Sequence, residues 1–170
     1  ESFHLSNKAL RCLALSPERG ELAAGASDGS IYLLDLETLA LKTTIAGAHD
    51  PSVFSLCFSP DGRYLLSGGR DAMLRVWDLE KNAALYKEQP AHWYTINHIA
   101  YHPGGQLFAT ASRDKTVKIW DAETFKLLKV LETVRDNGHV NSVNRMLWMG
   151  GDILVSCGDD RTLKVWSLKV

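Results

Sequence analysis

The sequence predicts an all-β chain built from four similar units, each a small antiparallel sheet of four strands. Three observations predict it. A nine-residue pattern ending in Trp-Asp or a close variant recurs four times; apolar residues in and before it alternate with a period of two; and Gly, Pro and Asp mark the turns between the alternating stretches.

The first unit carries a small-residue strand, Leu22-Ala23-Ala24-Gly25, followed by Ser27-Asp28-Gly29-Ser30-Ile31-Tyr32-Leu33-Leu34-Asp35. The second begins with the alternating stretch Val53-Phe54-Ser55-Leu56-Cys57-Phe58 and turns at Ser59-Pro60-Asp61-Gly62. It continues through Leu66-Ser67-Gly68-Gly69 into Arg70-Asp71-Ala72-Met73-Leu74-Arg75-Val76-Trp77-Asp78. The third turns at His102-Pro103-Gly104-Gly105 and pairs Ala109-Thr110-Ala111-Ser112 with the run from Arg113 to Trp120-Asp121. The fourth has Val155-Ser156-Cys157-Gly158 and ends on Trp166-Ser167. Gly-, Pro- and Asp-rich turns of this kind are hairpin chemistry. Leu34, Trp77, Trp120 and Trp166 stand at intervals of 43, 43 and 46. A further strand is expected over 40–45, 83–88 and 127–131, making four strands per unit, with repeats over roughly 4–45, 46–88, 89–131 and 132–170.

Composition narrows the function classes. The 170 residues are 45% hydrophobic and 23% charged, which is ordinary for a folded domain. A formal charge of −1 supplies no basic field of the kind that draws nucleic acid, so a nucleic-acid partner is not expected. The chain has no apolar run long enough to span a membrane and no export leader, so no membrane partner is expected either. Cys12, Cys57 and Cys157 form no metal or redox cluster, and three thiols leave one over, which points to a reducing, cytoplasmic setting.

Units of this length, with a His ahead of the sheet and Trp-Asp near its end, resemble the WD-repeat β-propellers, and the resemblance spans the whole chain. Three units share four polar residues at matching offsets: His49, Ser67, Asp71 and Trp77; His92, Thr110, Asp114 and Trp120; His139, Ser156, Asp160 and Trp166. The resemblance implies a buried chain in which the indole donates to the hydroxyl, the hydroxyl meets His, and His donates to Asp. Each member would then have the partner that a buried polar group requires. The first unit departs, with Ala24 and Leu34 in the hydroxyl and indole positions; His4 and Asp28 are expected to pair there.

Ser, His and Asp also make hydrolase triads. Against that reading, the set occurs three times, its hydroxyl is expected to be occupied by an indole, and no Gly-x-Ser-x-Gly elbow is present. No catalytic residue is therefore assigned. Nor is a metal or cofactor: His98 and His102 have an H-x-x-x-H spacing but lie on a strand and its following turn, roughly 13 Å apart.

What the resemblance implies about function is a non-catalytic scaffold that binds protein or peptide partners on a propeller face. Positions carried over from the family place Arg11, Phe54, Asn97 and Asn144 at the starts of innermost strands. Arg70 and Arg113 stand just before the turn aspartates. The alternative is a propeller enzyme or sensor whose site lies in a central channel completed by absent blades. The propellers it resembles mostly have seven blades, sometimes six or eight, so the resemblance implies that these four are part of a seven- or eight-bladed ring. Further partners are thus expected: missing blades from the same polypeptide, or a second copy in a homodimer. Glu1-Ser2-Phe3 is expected to be the tail of an outer strand, and little room for a fourth strand is expected after Trp166 in the last unit.

Overall fold

The structure, a computed structural model, describes residues 2–168. They form two compact units, divided between Ala91 and His92.

In the first unit, β1 (Leu10–Ser16), β2 (Glu21–Ala26), β3 (Ile31–Asp35) and β4 (Leu41–Ile45) form one antiparallel sheet in sequence order. So do β5 (Val53–Phe58), β6 (Tyr64–Gly69), β7 (Met73–Asp78) and β8 (Ala84–Pro90). The period-two alternation fixes which side chains face inward, since a one-residue slip would turn every apolar group to solvent. Ala23, Ile31 and Leu33 of the first sheet pack on Val53, Leu56, Phe58, Leu65 and Trp77 of the second, with Cys12 and Ala14 at the edge of this core. The sheets come close at Gly29, whose carbonyl accepts the His49 N–H at 3.0 Å. A Cβ on Gly29 would lie 2.1 Å from the His49 carbonyl oxygen, and its φ of +82° is one that side chains disfavour.

In the second unit, β9 (Ile96–Tyr101), β10 (Leu107–Ser112), β11 (Val117–Asp121) and β12 (Leu127–Leu131) form a four-stranded sheet. A helical turn, α1 (Thr133–Asp136), leads on to a sheet of β13 (Val143–Trp148), β14 (Ile153–Gly158) and β15 (Leu163–Ser167). Ala109, Ala111, Val117 and Ile119 meet Val143, Met146, Trp148, Leu154 and Trp166 in its core. Polar groups also fasten these two sheets. The Asn97 amide donates to the Val143 carbonyl at 2.8 Å and to Ser142 Oγ at 3.0 Å. The Arg145 guanidinium donates to the Asn97 carbonyl, and Trp148 Nε1–H to the Ala100 carbonyl. The opposite face of the last sheet leaves Leu147, Leu163 and Val165 exposed.

In the first three sheets the aspartate that closes the third strand organises the turn after it. Asp35 accepts from the Thr38 N–H, Asp78 from Glu80 and Asp121 from Thr124, so the chain reverses at once into the outer strand. Ser2 and Phe3 are in no strand. A strand needs a neighbour to bond with, whereas this segment turns Leu5 against the cluster of Ala24, Tyr32 and Leu34. The rest of that expected strand, Glu1, lies outside the described residues, as do Lys169 and Val170 after β15. Among the described residues no helix is long and apolar enough to cross a membrane.

Gly29→Ala places a methyl against backbone that cannot swing aside, in a disfavoured conformation. It is expected to cost about 1–3 kcal/mol, read as a fall in the urea midpoint; an unchanged midpoint would show that the contact between the first two sheets is looser than described.

Candidate functional site

The most ordered polar chemistry sits inside the sheets. In the second sheet, Asp71 Oδ1 lies 2.9 Å from His49 Nδ1, His49 Nε2 lies 2.7 Å from Ser67 Oγ, and Trp77 Nε1 lies 2.9 Å from the same hydroxyl. Because a carboxylate only accepts, His49 carries its proton on Nδ1, and Nε2 accepts from the hydroxyl, which in turn accepts from the indole. The direction of the whole chain follows from its acidic end. His92, Thr110, Asp114 and Trp120 repeat it at 2.9, 2.7 and 2.9 Å. His139, Ser156, Asp160 and Trp166 do so at 2.9, 2.8 and 2.9 Å. The hydroxyls and imidazoles are buried.

Each aspartate has further work. It accepts the backbone N–H of the residue after the histidine: Asp50, Trp93 and Val140 respectively. It also accepts an N–H from its own turn, at Met73, Thr116 and Thr162. Arg75 lies across the Asp71–His49 pair, donating to Asp71 Oδ2 at 2.7 Å, while Thr116 and Thr162 donate their hydroxyls to Asp114 and Asp160. The sequence carried signals for these: an Asp-x-Thr pattern in two turns, and a strand residue four positions after Asp71 that lies on the aspartate's side.

Burial favours the neutral forms, and the geometry decides which groups resist it. Burial lowers His49 below its ordinary value, against the pull of Asp71 and with help from the Arg75 cation. Burial likewise lowers His92. Burial would raise the three aspartates, but the hydrogen bonds they accept outweigh it and hold all three well below the usual carboxylate range. Each imidazole–carboxylate pair in the second and third sheets is therefore a neutral ring on an anion.

The first sheet differs. Asp28 accepts from Ser6 Oγ at 2.5 Å and from the Tyr32 hydroxyl at 2.8 Å, while His4 lies against Asn7 instead. With Leu34 in place of an indole and Ala24 in place of a hydroxyl, no polar atom inside this sheet calls for a histidine. Packing of Leu5 fixes the preceding loop so that Ser6 reaches the carboxylate.

Of the residues singled out for partner contact, Arg11 and Phe54 come together, the guanidinium carbon 5.7 Å from the ring centroid, and Arg11 Nε–H donates to Ser27 Oγ. Arg70 and Arg113 are exposed. Asn97 and Asn144 use their amides internally, Asn97 between sheets and Asn144 on Asp159 at 2.6 Å. His98 Nδ1 accepts the Met146 N–H, and burial beside Arg145 brings the ring down to about 4. His102 Nε2 meets the Gly151 carbonyl, so the two histidines serve separate contacts. Among the described residues no three His, Cys, Asp or Glu side chains converge as a metal set.

A family model described as WD domain, G-beta repeat matches residues 2–35, 40–78, 84–121 and 126–167. Its intervals end on the last residues of the third strands, so each outer strand falls in the following interval. None of the curated proteins compared matches the sequence. Among matching solved structures, the crystal structure of RRP9 WD40 repeats superposes with a TM-score of 0.87 at 23% identity, over 97% of this chain and 50% of that one.

Ser67→Ala orphans the Trp77 N–H and the His49 acceptor together, at about 1–3 kcal/mol for each group; urea unfolding of this variant measures it, and a change below about 0.5 kcal/mol would mean that the hydroxyl is dispensable. The pH dependence has a definite sign. His49, His92 and His98 have folded values below the ordinary 6.5, so the unfolded chain binds protons first, and their contribution, full above 6.5, is lost as pH falls, for His98 toward about 4. The aspartates add a loss below about 3.8. The urea midpoint is expected to decline steadily below pH 6.5 and steepen below 4; a rise between pH 6.5 and 5 would contradict this assignment.

Proposed function

The chain belongs to the WD-repeat family, and from that membership we propose that it is a non-catalytic scaffold which binds peptide or protein partners through the loop-proximal ends of its sheets. The observation that carries the reading is the engagement of every hydroxyl of the three polar sets. An indole N–H and an imidazole hold each one in the interior, which leaves no lone, approachable nucleophile of the kind acyl transfer needs. The repeated sets are assigned to holding the sheets, and recognition to the surface.

In the first unit the Arg11–Phe54 contact, with exposed Arg70 nearby in the fold's turn positions, suits an acidic partner bearing an apolar anchor. Arg113 offers a cation at the corresponding position of the second unit, while Asn97 and Asn144 contribute by shaping the surface from within. Further blades belong to the same proposal: the exposed Leu147, Leu163 and Val165 form an apolar face that a neighbouring sheet would cover, supplied by the same polypeptide or by a second copy. A reducing cytoplasmic setting goes with it, since Cys12, Cys57 and Cys157 form no disulfide.

Partner capture tests the reading. Phe54→Ala with Arg70→Glu is expected to reduce the proteins retained from a lysate by the immobilised chain at least about tenfold, as loss of an interface hot spot does, with the urea midpoint unchanged; equal retention by both chains would remove this surface from consideration.

A further inference from the structure

We propose that the loop leading into β9 is a separate recognition element, in which Trp93 and Tyr94, beside Arg113 and Lys115, take a short acidic peptide segment carrying an apolar side chain. The proposal rests on the scaffold reading and assigns it a site of which the family positions above include Arg113 alone.

Residues 93–95 are fastened one after another to the β10–β11 turn. The Trp93 N–H donates to Asp114 Oδ2 at 3.0 Å, the Tyr94 carbonyl accepts from Ser112 Oγ at 3.1 Å, and the Thr95 carbonyl accepts the Arg113 N–H at 3.0 Å. On this fixed base the Trp93 side chain is 86% exposed and Tyr94 60%. The fold requires only the N–H at position 93. Asp50 and Val140, the corresponding residues of the second and fourth sheets, give the same N–H to Asp71 and Asp160 with unrelated side chains. An indole there adds nothing to the sheet that an aspartate or a valine does not.

What it adds is rigid aromatic surface. Tryptophan and tyrosine dominate interface hot spots, and a pinned backbone has little freedom left to lose on binding. In the turn that holds the pair, the exposed charge is positive. Asp114 is directed inward onto His92, Thr116 and the Trp93 N–H, while Arg113 and Lys115 on either side of it are exposed. Two cations beside two aromatic rings complement carboxylates next to an apolar group. They do not make the extended basic track that a polyphosphate backbone needs, and the whole chain carries a formal charge of −1.

Selection of a random phage-displayed peptide library on the immobilised chain tests this. Wild type is expected to enrich peptides with Asp or Glu beside Trp, Phe or Leu. The Trp93→Ala/Tyr94→Ala chain, with an unchanged urea midpoint, is expected to bind the leading peptide at least about tenfold more weakly by fluorescence anisotropy. Phe54→Ala/Arg70→Glu should leave that affinity within about twofold, since sites that share no residue act independently. Equal binding by the Trp93/Tyr94 variant, enrichment of basic or proline-rich peptides, no enrichment at all, or displacement of the peptide by single-stranded oligonucleotide would each overturn the proposal. If acidic peptides are lost only with Phe54→Ala/Arg70→Glu, this site falls while the scaffold reading stands.

Discussion

In each of the three complete repeats the tight-turn aspartate directs its carboxylate inward, and most other polar contacts in the repeat take their orientation from that one anion. It fixes the histidine proton on Nδ1, which leaves Nε2 to accept from the hydroxyl and the hydroxyl to accept from the indole. Reaching backward, it holds the residue after the histidine, so the loop entering the sheet is tied to the turn in its middle. Removing the anion would leave a row of buried groups without a defined donor and acceptor order, a costlier state than an apolar interior. Conservation of pattern within the chain thus has a local physical cause, repeated three times.

The first sheet shows what happens when the interior makes no such demand. Leu34 and Ala24 pack without polar atoms, so Asp28 is released from imidazole and meets Ser6 and Tyr32 nearer the surface. The two contacts between neighbouring sheets differ in kind as well. Close approach at Gly29 and an apolar core join the first pair, whereas Asn97, Arg145 and Trp148 add side-chain bonds to backbone carbonyls in the second. One repeat sequence therefore accommodates packing between sheets that is chiefly apolar, with long bonds from Cys12 and Ser52, and packing fastened by short side-chain bonds.

Much of this was legible in the sequence, because strand phase and turn chemistry are local. Alternation in 53–58 and the Gly-, Pro- and Asp-rich turns set β5 and its neighbours, and the outer strands β4, β8 and β12 begin within a residue of their expected positions. The departures are long-range. His4 stands at nearly the right distance from Asp28, yet Leu5 packing decides that Ser6 arrives instead. Asn97 looks like a surface residue until the neighbouring sheet supplies the Val143 carbonyl for its amide. Trp93 reads as one more apolar residue after a histidine; only the pinned backbone and the missing cover reveal it as exposed. In each case the deciding partner belongs to another element, and spacing within one repeat carries no record of it.

The account stands on each polar set being an ordered chain of hydrogen bonds inside its sheet, and the protonation of the histidines tests that most directly. Long-range nitrogen–proton correlation spectra of the ¹⁵N-labelled chain read the tautomer of each ring and its titration. The structure predicts His49, His92 and His139 as Nδ1–H tautomers, with His49 and His92 staying neutral as the pH is taken down through 6.5. An Nε2–H tautomer would break the order of donors from indole to carboxylate, and titration of His49 or His92 at the ordinary value would contradict their burial; either result would contradict the account.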